Sequence, residues 1–194
     1  IGGFNAYNVL AIYACADLLG QPQLESLKAL STLESVSGRF QYIISSSGVT
    51  AIVDYAHTPD ALDNVLSTID GLRTGNESLI TVVGCGGDRD PDKRPKMAAI
   101  ATQWSSKVVF TNDNPRGEDP QAILQAMVAG VPAQDFKKYV VIADRAQAIK
   151  AAVQMAAPND IILIAGKGHE TYQEIRGQRF DFNDLQIVTD LLTH

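Results

Sequence analysis

Cysteine is scarce in this sequence. Only Cys15 and Cys85 occur in 194 residues, far apart and in no metal-ligand spacing, so free thiols in a reducing cytoplasm are the reading. Basic charge is also short. Lysine and arginine total 16 against 22 acidic residues, a net charge of −6, which disfavours nonspecific nucleic-acid binding through a basic face. No apolar run approaches the roughly 20 residues that span a bilayer, so a membrane protein is not expected. A signal peptide and an initiator methionine are both missing. The chain opens on Ile1-Gly2-Gly3 and is expected to be a piece of something longer. What is present is 45% hydrophobic and 20% charged, the profile of a soluble globular protein. The length suits one full domain plus a remnant, or one large domain.

The hydrophobic pattern changes near residue 38. Ala6 to Leu19 carries Val9, Leu10, Tyr13, Ala16 and Leu19 at helical spacing, Gly20 ends that helix, and Pro22 opens a second over Gln23 to Leu30. No strand pattern occurs there, so residues 1–37 read as the helical end of a preceding domain, with Ser35 to Gly38 as linker. From Arg39 onward strands and helices alternate. Phe40–Ser45 and Val49–Tyr55 flank Ser46-Ser47-Gly48 as a hairpin. Further strands are expected at Leu79–Val83, Lys107–Thr111, Tyr139–Ile142, Asp160–Ala165 and, briefly, Tyr172–Ile175. Helices are expected from Thr58 to Leu72, Asp92 to Trp104, Pro120 to Ala129, Arg145 to Ala156 and Asn183 to Leu192. This alternation predicts an α/β fold with a doubly wound, mostly parallel sheet over residues 38–194.

Chemistry-bearing residues follow the strands. In such folds ligands bind outside the carboxyl ends of the strands. Asp113-Asn114-Pro115-Arg116 follows the 107–111 strand. Pro115 stiffens the loop, and Arg116 carries a planar fork of donors for a carboxylate or phosphate, although a polar turn with a solvated arginine has the same composition. Asp54 and His57 follow the hairpin. Asp54 suits a ribose and His57 a proton or a phosphate, whereas a capped helix start with a structural histidine is the simpler reading of the local signal, since capping residues are common. Gly84-Cys85-Gly86-Gly87-Asp88-Arg89 fails the dinucleotide fingerprint, because Arg89 stands where the third glycine belongs. Its glycines permit close approach of a ligand, and Arg89 is a second anion fork, with Lys93, Arg94 and Lys96 read in part as a solvated helix face. Gly166-Lys167-Gly168-His169-Glu170 is neither a Walker A loop nor a zincin motif, but a tight turn whose Glu170 can pair with an ammonium. Two arginines and one carboxylate along one sheet edge complement a small zwitterion bearing carboxylates and an ammonium.

With these residues in view, the chain resembles the Mur ligases, and within them the branch that adds meso-diaminopimelate. The markers are residues 4–8 (Phe-Asn-Ala-Tyr-Asn), Gly38-Arg39-Phe40, the 54–59 stretch, Gly84 to Asp90, Asp113 to Arg116 and Gly166 to Glu170. The resemblance implies a Rossmann-like carboxyl-terminal domain preceded by a helical remnant of the central ATPase domain. It implies that Arg89, Asp113, Asn114, Pro115, Arg116, Gly166 and Glu170 bind meso-diaminopimelate, with Arg116 on the distal carboxylate. It implies that Asn5, Asn8, Arg39, Asp54 and His57 serve ATP. The implied reaction is ATP- and Mg²⁺-dependent amide formation on UDP-N-acetylmuramoyl-L-alanyl-D-glutamate in the cytoplasm, through an acyl phosphate. The family's Walker A loop, magnesium-binding glutamate and modified lysine do not occur in these 194 residues, so the chain is expected to be inactive alone. Two alternatives remain at this point: a relative of the folylpolyglutamate or cyanophycin synthetase type, and a non-catalytic amino-acid or nucleotide-binding module. An NAD-dependent oxidoreductase is disfavoured by the failed fingerprint.

Overall fold

A computed structural model describes residues 3–32 and 37–193, with side chains from Tyr7 onward in the first helix. The chain divides into two compact units, Ile1–Val36 and Ser37–His194. The first holds α1 (Gly3–Leu18) and α2 (Gln23–Ser31). Between them Gly20 takes φ +73°, a left-handed conformation that suits glycine just past a helix end. Tyr7, Leu10, Leu18, Leu24 and Leu27 are exposed, and α2 buries none of its residues. Of the expected linker, Ser35 lies outside the described residues, while Gly38 belongs to the second unit.

The second unit begins with the expected hairpin. β1 (Gln41–Ile44) runs antiparallel to β2 (Thr50–Asp54), and Gly48 turns the chain at φ +84°. Then follow α3 (Pro59–Leu72), β3 (Leu79–Val83), α4 (Lys93–Trp104), β4 (Lys107–Phe110), α5 (Pro120–Val128), β5 (Tyr139–Val141), α6 (Arg145–Met155) and β6 (Ile161–Ala165). β7 (Tyr172–Ile175), β8 (Gln178–Asp181) and α7 (Asp184–Thr193) close the chain. The main sheet has the order β1-β2-β6-β3-β4-β5, and every pairing but β1–β2 is parallel.

Side-chain alternation explains why helices cover both faces. Leu79, Val83, Phe110 and Leu163 point to one layer, where they meet Leu62, Val65, Leu66 and Ile69 of α3 together with Met97 and Leu124. Ile80, Val82, Val109 and Ile162 point to the other, where Ile149 of α6 and Val188 of α7 pack. A strand buried on both faces reads as a continuous apolar run, and all of β3 is buried. The helix starts are capped locally: Thr58, Asp119 and Asp144 accept from Ala61, Gln121 and Gln147 amides, and proline opens α3 and α5.

The sequence reading places one strand after residue 170, and the structure has two. β8 pairs with β7 through Arg176 and Gly177, whose φ values of +50° and +73° are those of a tight hairpin turn. β8 was illegible because all four of its residues are exposed and carry no apolar alternation.

Candidate functional site

The carboxyl ends of β2, β6, β3 and β4 lie side by side, so the loops after them surround one cleft of about 340 Å³. It is lined by His57, Arg89, Asp113, Asn114, Arg116, Gly166 and Glu170, together with Tyr55, Gly86 and Lys93. Six of the seven residues assigned by resemblance to the amino-acid site thus meet in one place. Pro115, the seventh, is buried behind them rather than on the wall.

The glycines of the 84–87 loop are needed for the neighbouring loop. A Cβ on Gly87 would lie 2.0 Å from the Pro115 carbonyl oxygen, and one on Gly86 would lie 2.7 Å from the Arg116 guanidinium. The two loops are then tied together. The Gly87 amide donates to the Asn114 carbonyl (2.9 Å), and Arg116 Nη1 donates to the Gly87 carbonyl (2.8 Å). Arg94 and Glu118 form a second tie, with Arg94 Nη2 donating to both carboxylate oxygens at 2.8 and 2.9 Å. Arg94 is buried and Lys96 exposed, so the basic cluster is a solvated helix face only in part, as the sequence suggests. Lys93 Nζ donates to the His57 carbonyl at 2.9 Å, joining the 54–58 loop to α4.

The β7–β8 hairpin holds the 113–116 loop from the other side. The Arg116 amide donates to the Glu174 carbonyl (3.0 Å), the Glu174 amide to Asn114 Oδ1 (2.9 Å), and Gln173 Nε2 to the Asp113 carbonyl (2.7 Å). Arg116 itself sits at φ +51°, an uncommon conformation for a side chain of this size and a frequent companion of function.

Lys167, which the sequence marks only as one residue of a tight turn, is fully buried and is not on the cleft wall. Its ammonium donates to Asn114 Oδ1 (2.8 Å), the Tyr172 carbonyl (2.7 Å) and Glu170 Oε2 (3.3 Å). Asp113 Oδ1 is 3.4 Å away, within ion-pair range but without a hydrogen bond. Asn114 Nδ2 donates to Glu170 Oε2 at 2.8 Å. One cation between two carboxylates leaves the floor of the cleft negative, while Arg116, 3.9 Å from the Glu174 carboxylate, the exposed Arg89 and Lys93 supply positive charge at its wall against Asp90. A zwitterion with a second carboxylate matches that distribution.

The residues assigned by resemblance to ATP are placed differently. His57 lines the cleft, its Nδ1 2.9 Å from the Tyr55 carbonyl oxygen. Arg39 is exposed and lies over the Tyr55 ring at 4.7 Å, and His57 and His169 pack against the same ring at 4.6 and 5.1 Å. Asp54 is buried, and its two oxygens accept the Phe40 and Ala56 amides at 2.8 and 2.9 Å. Burial raises its pKa, against the lowering effect of those amides and of Arg39. Asn8 is an exposed residue of the first unit, and the side chain of Asn5 lies outside the described residues. Among the described residues no cluster of three metal-ligating side chains occurs, and no helix is long and apolar enough to cross a membrane.

Comparison with known proteins shows the family. Residues 38–168 match the family model described as "Mur ligase, glutamate ligase domain". The UDP-N-acetylmuramoyl-L-alanyl-D-glutamate--2,6-diaminopimelate ligase of Cytophaga hutchinsonii is 58% identical over 192 residues, covering 99% of this chain and 39% of the relative. The protein of the same name from Bacteroides thetaiotaomicron is 53% identical, covering 98% of this chain and 40% of the relative. A solved structure of a ligase of that name superposes with a TM-score of 0.76 at 40% identity, over 99% of this chain and 39% of that one. The chain therefore spans about 40% of the length of the curated relatives it matches. A family model that covers most of the chain, over the unit that builds the cleft, shows that this protein belongs to the Mur ligases.

Proposed function

We propose that this chain is the amino-acid-binding part of a ligase that adds meso-diaminopimelate to UDP-N-acetylmuramoyl-L-alanyl-D-glutamate in peptidoglycan synthesis, in the cytoplasm. One observation carries the reading: Arg89, Arg116, Asn114 and Glu170 share a cleft whose floor is negative and whose wall is positive. Lysine has no second carboxylate, so it offers Arg116 no ligand anion beyond the Gly87 carbonyl and the Glu174 carboxylate that the guanidinium already meets. The names of the relatives support the same substrate.

In this reading residues 1–37 are the helical end of a central ATPase domain, and residues 38–194 hold the incoming amine. The glutamate side-chain carboxylate is first activated as an acyl phosphate, taking the γ-phosphoryl group of the co-substrate ATP with ADP as the leaving group. The amine of diaminopimelate then attacks that carbonyl, and phosphate leaves. The chain contributes orientation, an effect that reaches about 7–11 kcal/mol in ideal intramolecular cases.

ATP fits the residues present in part. Arg39, exposed on Tyr55, and His57 are free enough to meet phosphate or ribose, and the Asp54 carboxylate keeps lone pairs beyond its two amide bonds. Asn5 and Asn8 belong to the same proposal. Mg²⁺ finds no carboxylate cluster among the described residues, so it is proposed to arrive with the nucleotide rather than to be held here. The chain alone is proposed to be inactive.

The test is the ligase reaction of the enzyme that carries this chain, with ATP and the UDP-linked acceptor, comparing meso-diaminopimelate with L-lysine. Turnover with diaminopimelate and a large loss with lysine is expected. Equal use of lysine would overturn the substrate assignment.

A further inference from the structure

We propose that Lys167 is a positioning residue for the amino-acid substrate: its buried ammonium fixes the Asn114 amide and turns Glu170 so that one carboxylate oxygen is left for the substrate's ammonium. The proposal rests on the reading of the cleft given above.

Lys167 is 0% exposed and is not part of the cleft wall. A lysine ammonium has three donor hydrogens, and three acceptors are in range: Asn114 Oδ1, the Tyr172 carbonyl and Glu170 Oε2. It has no donor to spare for a ligand and acts through its neighbours. Burying a charge on this scale is costly unless it is paired, and Glu170 and Asp113 pair it.

The first consequence falls on Asn114. Its Oδ1 accepts from both Lys167 Nζ and the Glu174 amide, so two independent donors decide which end of the amide is oxygen. The NH₂ end is thereby turned to Glu170 Oε2. Without Lys167 the amide is held by one donor only, and a flip would set its oxygen against the Glu170 carboxylate.

The second consequence falls on Glu170. Its Oε2 takes hydrogen bonds from Asn114 and Lys167, while among the described residues Oε1 takes none. Glu170 lines the cleft, so Oε1 is the oxygen left for an incoming ammonium. Lys167 offsets one of the two negative charges at the floor and leaves the other for the ligand. An arrangement formed before the substrate enters spares the cost of ordering Asn114 and Glu170 on binding, so the amine is held more tightly.

The test uses Lys167→Met and Lys167→Arg in the ligase that carries this chain, with ATP and the UDP-linked acceptor saturating. Lys167→Met is expected to raise KM for diaminopimelate by about 10- to 100-fold, the worth of one charge-assisted hydrogen bond, with kcat and the KM for ATP nearly unchanged. If the methionine variant does not fold, Lys167→Arg carries the test. It keeps the charge but not the tetrahedral set of donors, and KM alone is again expected to rise. An unchanged KM, or a KM that moves together with kcat and the ATP constant, overturns the proposal. In the unliganded protein, hydrogen exchange of the Glu174 amide is expected to quicken in Lys167→Met, and unchanged protection also overturns it. A wild-type enzyme with no diaminopimelate-dependent turnover would overturn the substrate reading, and the exchange measurement would then decide on Lys167 alone.

Discussion

The backbone amide of Arg116 donates to the carbonyl of Glu174 at 3.0 Å, and the Arg116 carbonyl accepts from Arg176, so the 113–116 loop is joined to β7 by an isolated parallel bridge. This pairing keeps Arg116 at φ +51°. The left-handed conformation costs a residue with a side chain about 1–2 kcal/mol, a cost that glycine avoids. Arg116→Gly and Arg116→Ala should therefore both lose diaminopimelate binding, but the glycine variant should be the more stable by up to about 1 kcal/mol, since its greater unfolded-state freedom offsets part of the relief. Urea unfolding of the two variants checks this. An alanine variant at least as stable would mean that the loop relaxes away from this geometry.

A buried ion pair closes the opposite layer. Arg145 donates to both oxygens of Asp184 at 2.8 and 2.7 Å and to the Ala165 carbonyl at 3.0 Å, with both charged side chains fully buried. Burial disfavours the charge on Arg145, but Asp184, with smaller contributions from Asp113 and Glu170, opposes it and the pKa is raised. Removing one partner leaves an uncompensated buried charge, so Asp184→Asn or Arg145→Met should cost about 3–5 kcal/mol, read by urea unfolding. The double variant Arg145→Met/Asp184→Leu should recover most of that loss.

The Arg94–Glu118 tie gives a pH dependence with a definite sign. Arg94, and then the Asp88 amide, hold the Glu118 carboxyl below its ordinary 4.5. A depressed carboxyl pKa stabilises the fold above the unfolded value, and that stability is lost as pH falls through the folded value. The difference in stability between wild type and Glu118→Gln should thus be complete at neutral pH and should close only as pH falls below the ordinary 4.5 and through the lower folded value. A difference that stays constant down to acid pH would show that the pair contributes nothing through its charge.

The two thiols should differ in reactivity. Cys15 is exposed, whereas Cys85 is buried beside Met97 and its pKa is pushed up to about 12 by burial. Iodoacetamide at about pH 8 should label one site in the native chain, Cys15, and the second only after unfolding, because the thiolate is the nucleophile. Mass spectrometry of the labelled peptides reads the outcome. Rapid labelling of Cys85 in the native chain would contradict its burial.

The sheet was legible because its central strands are buried on both sides. Leu79–Val83 is an unbroken apolar run, and its limits in the sequence reading and in the structure coincide. The cleft was legible because its residues stand where strands end, a position known once the strands are known. The buried roles of Lys167, Arg94 and Arg145 were not. Each is a cation whose carboxylate partner comes partly or wholly from another element, such as Glu118 for Arg94 and Asp184 for Arg145. Nothing in the local sequence separates such a residue from a solvated one. The glycines at 86 and 87 carried a partly misleading signal, since loop packing as well as ligand approach demands them. β8 was hidden because an exposed, polar strand resembles a loop in composition.

The central claim is that the cleft around Arg116, Asn114 and Glu170 is preformed in this chain and selects a diamino dicarboxylic acid. Calorimetric titration of the 194-residue chain with meso-diaminopimelate, with L-lysine as the control ligand and Arg116→Ala as the control protein, tests it most directly. Saturable binding of meso-diaminopimelate, with none for lysine and none in the variant, is the predicted result. Binding of lysine with equal affinity, binding that survives Arg116→Ala, or binding of neither amino acid would contradict a preformed and selective site.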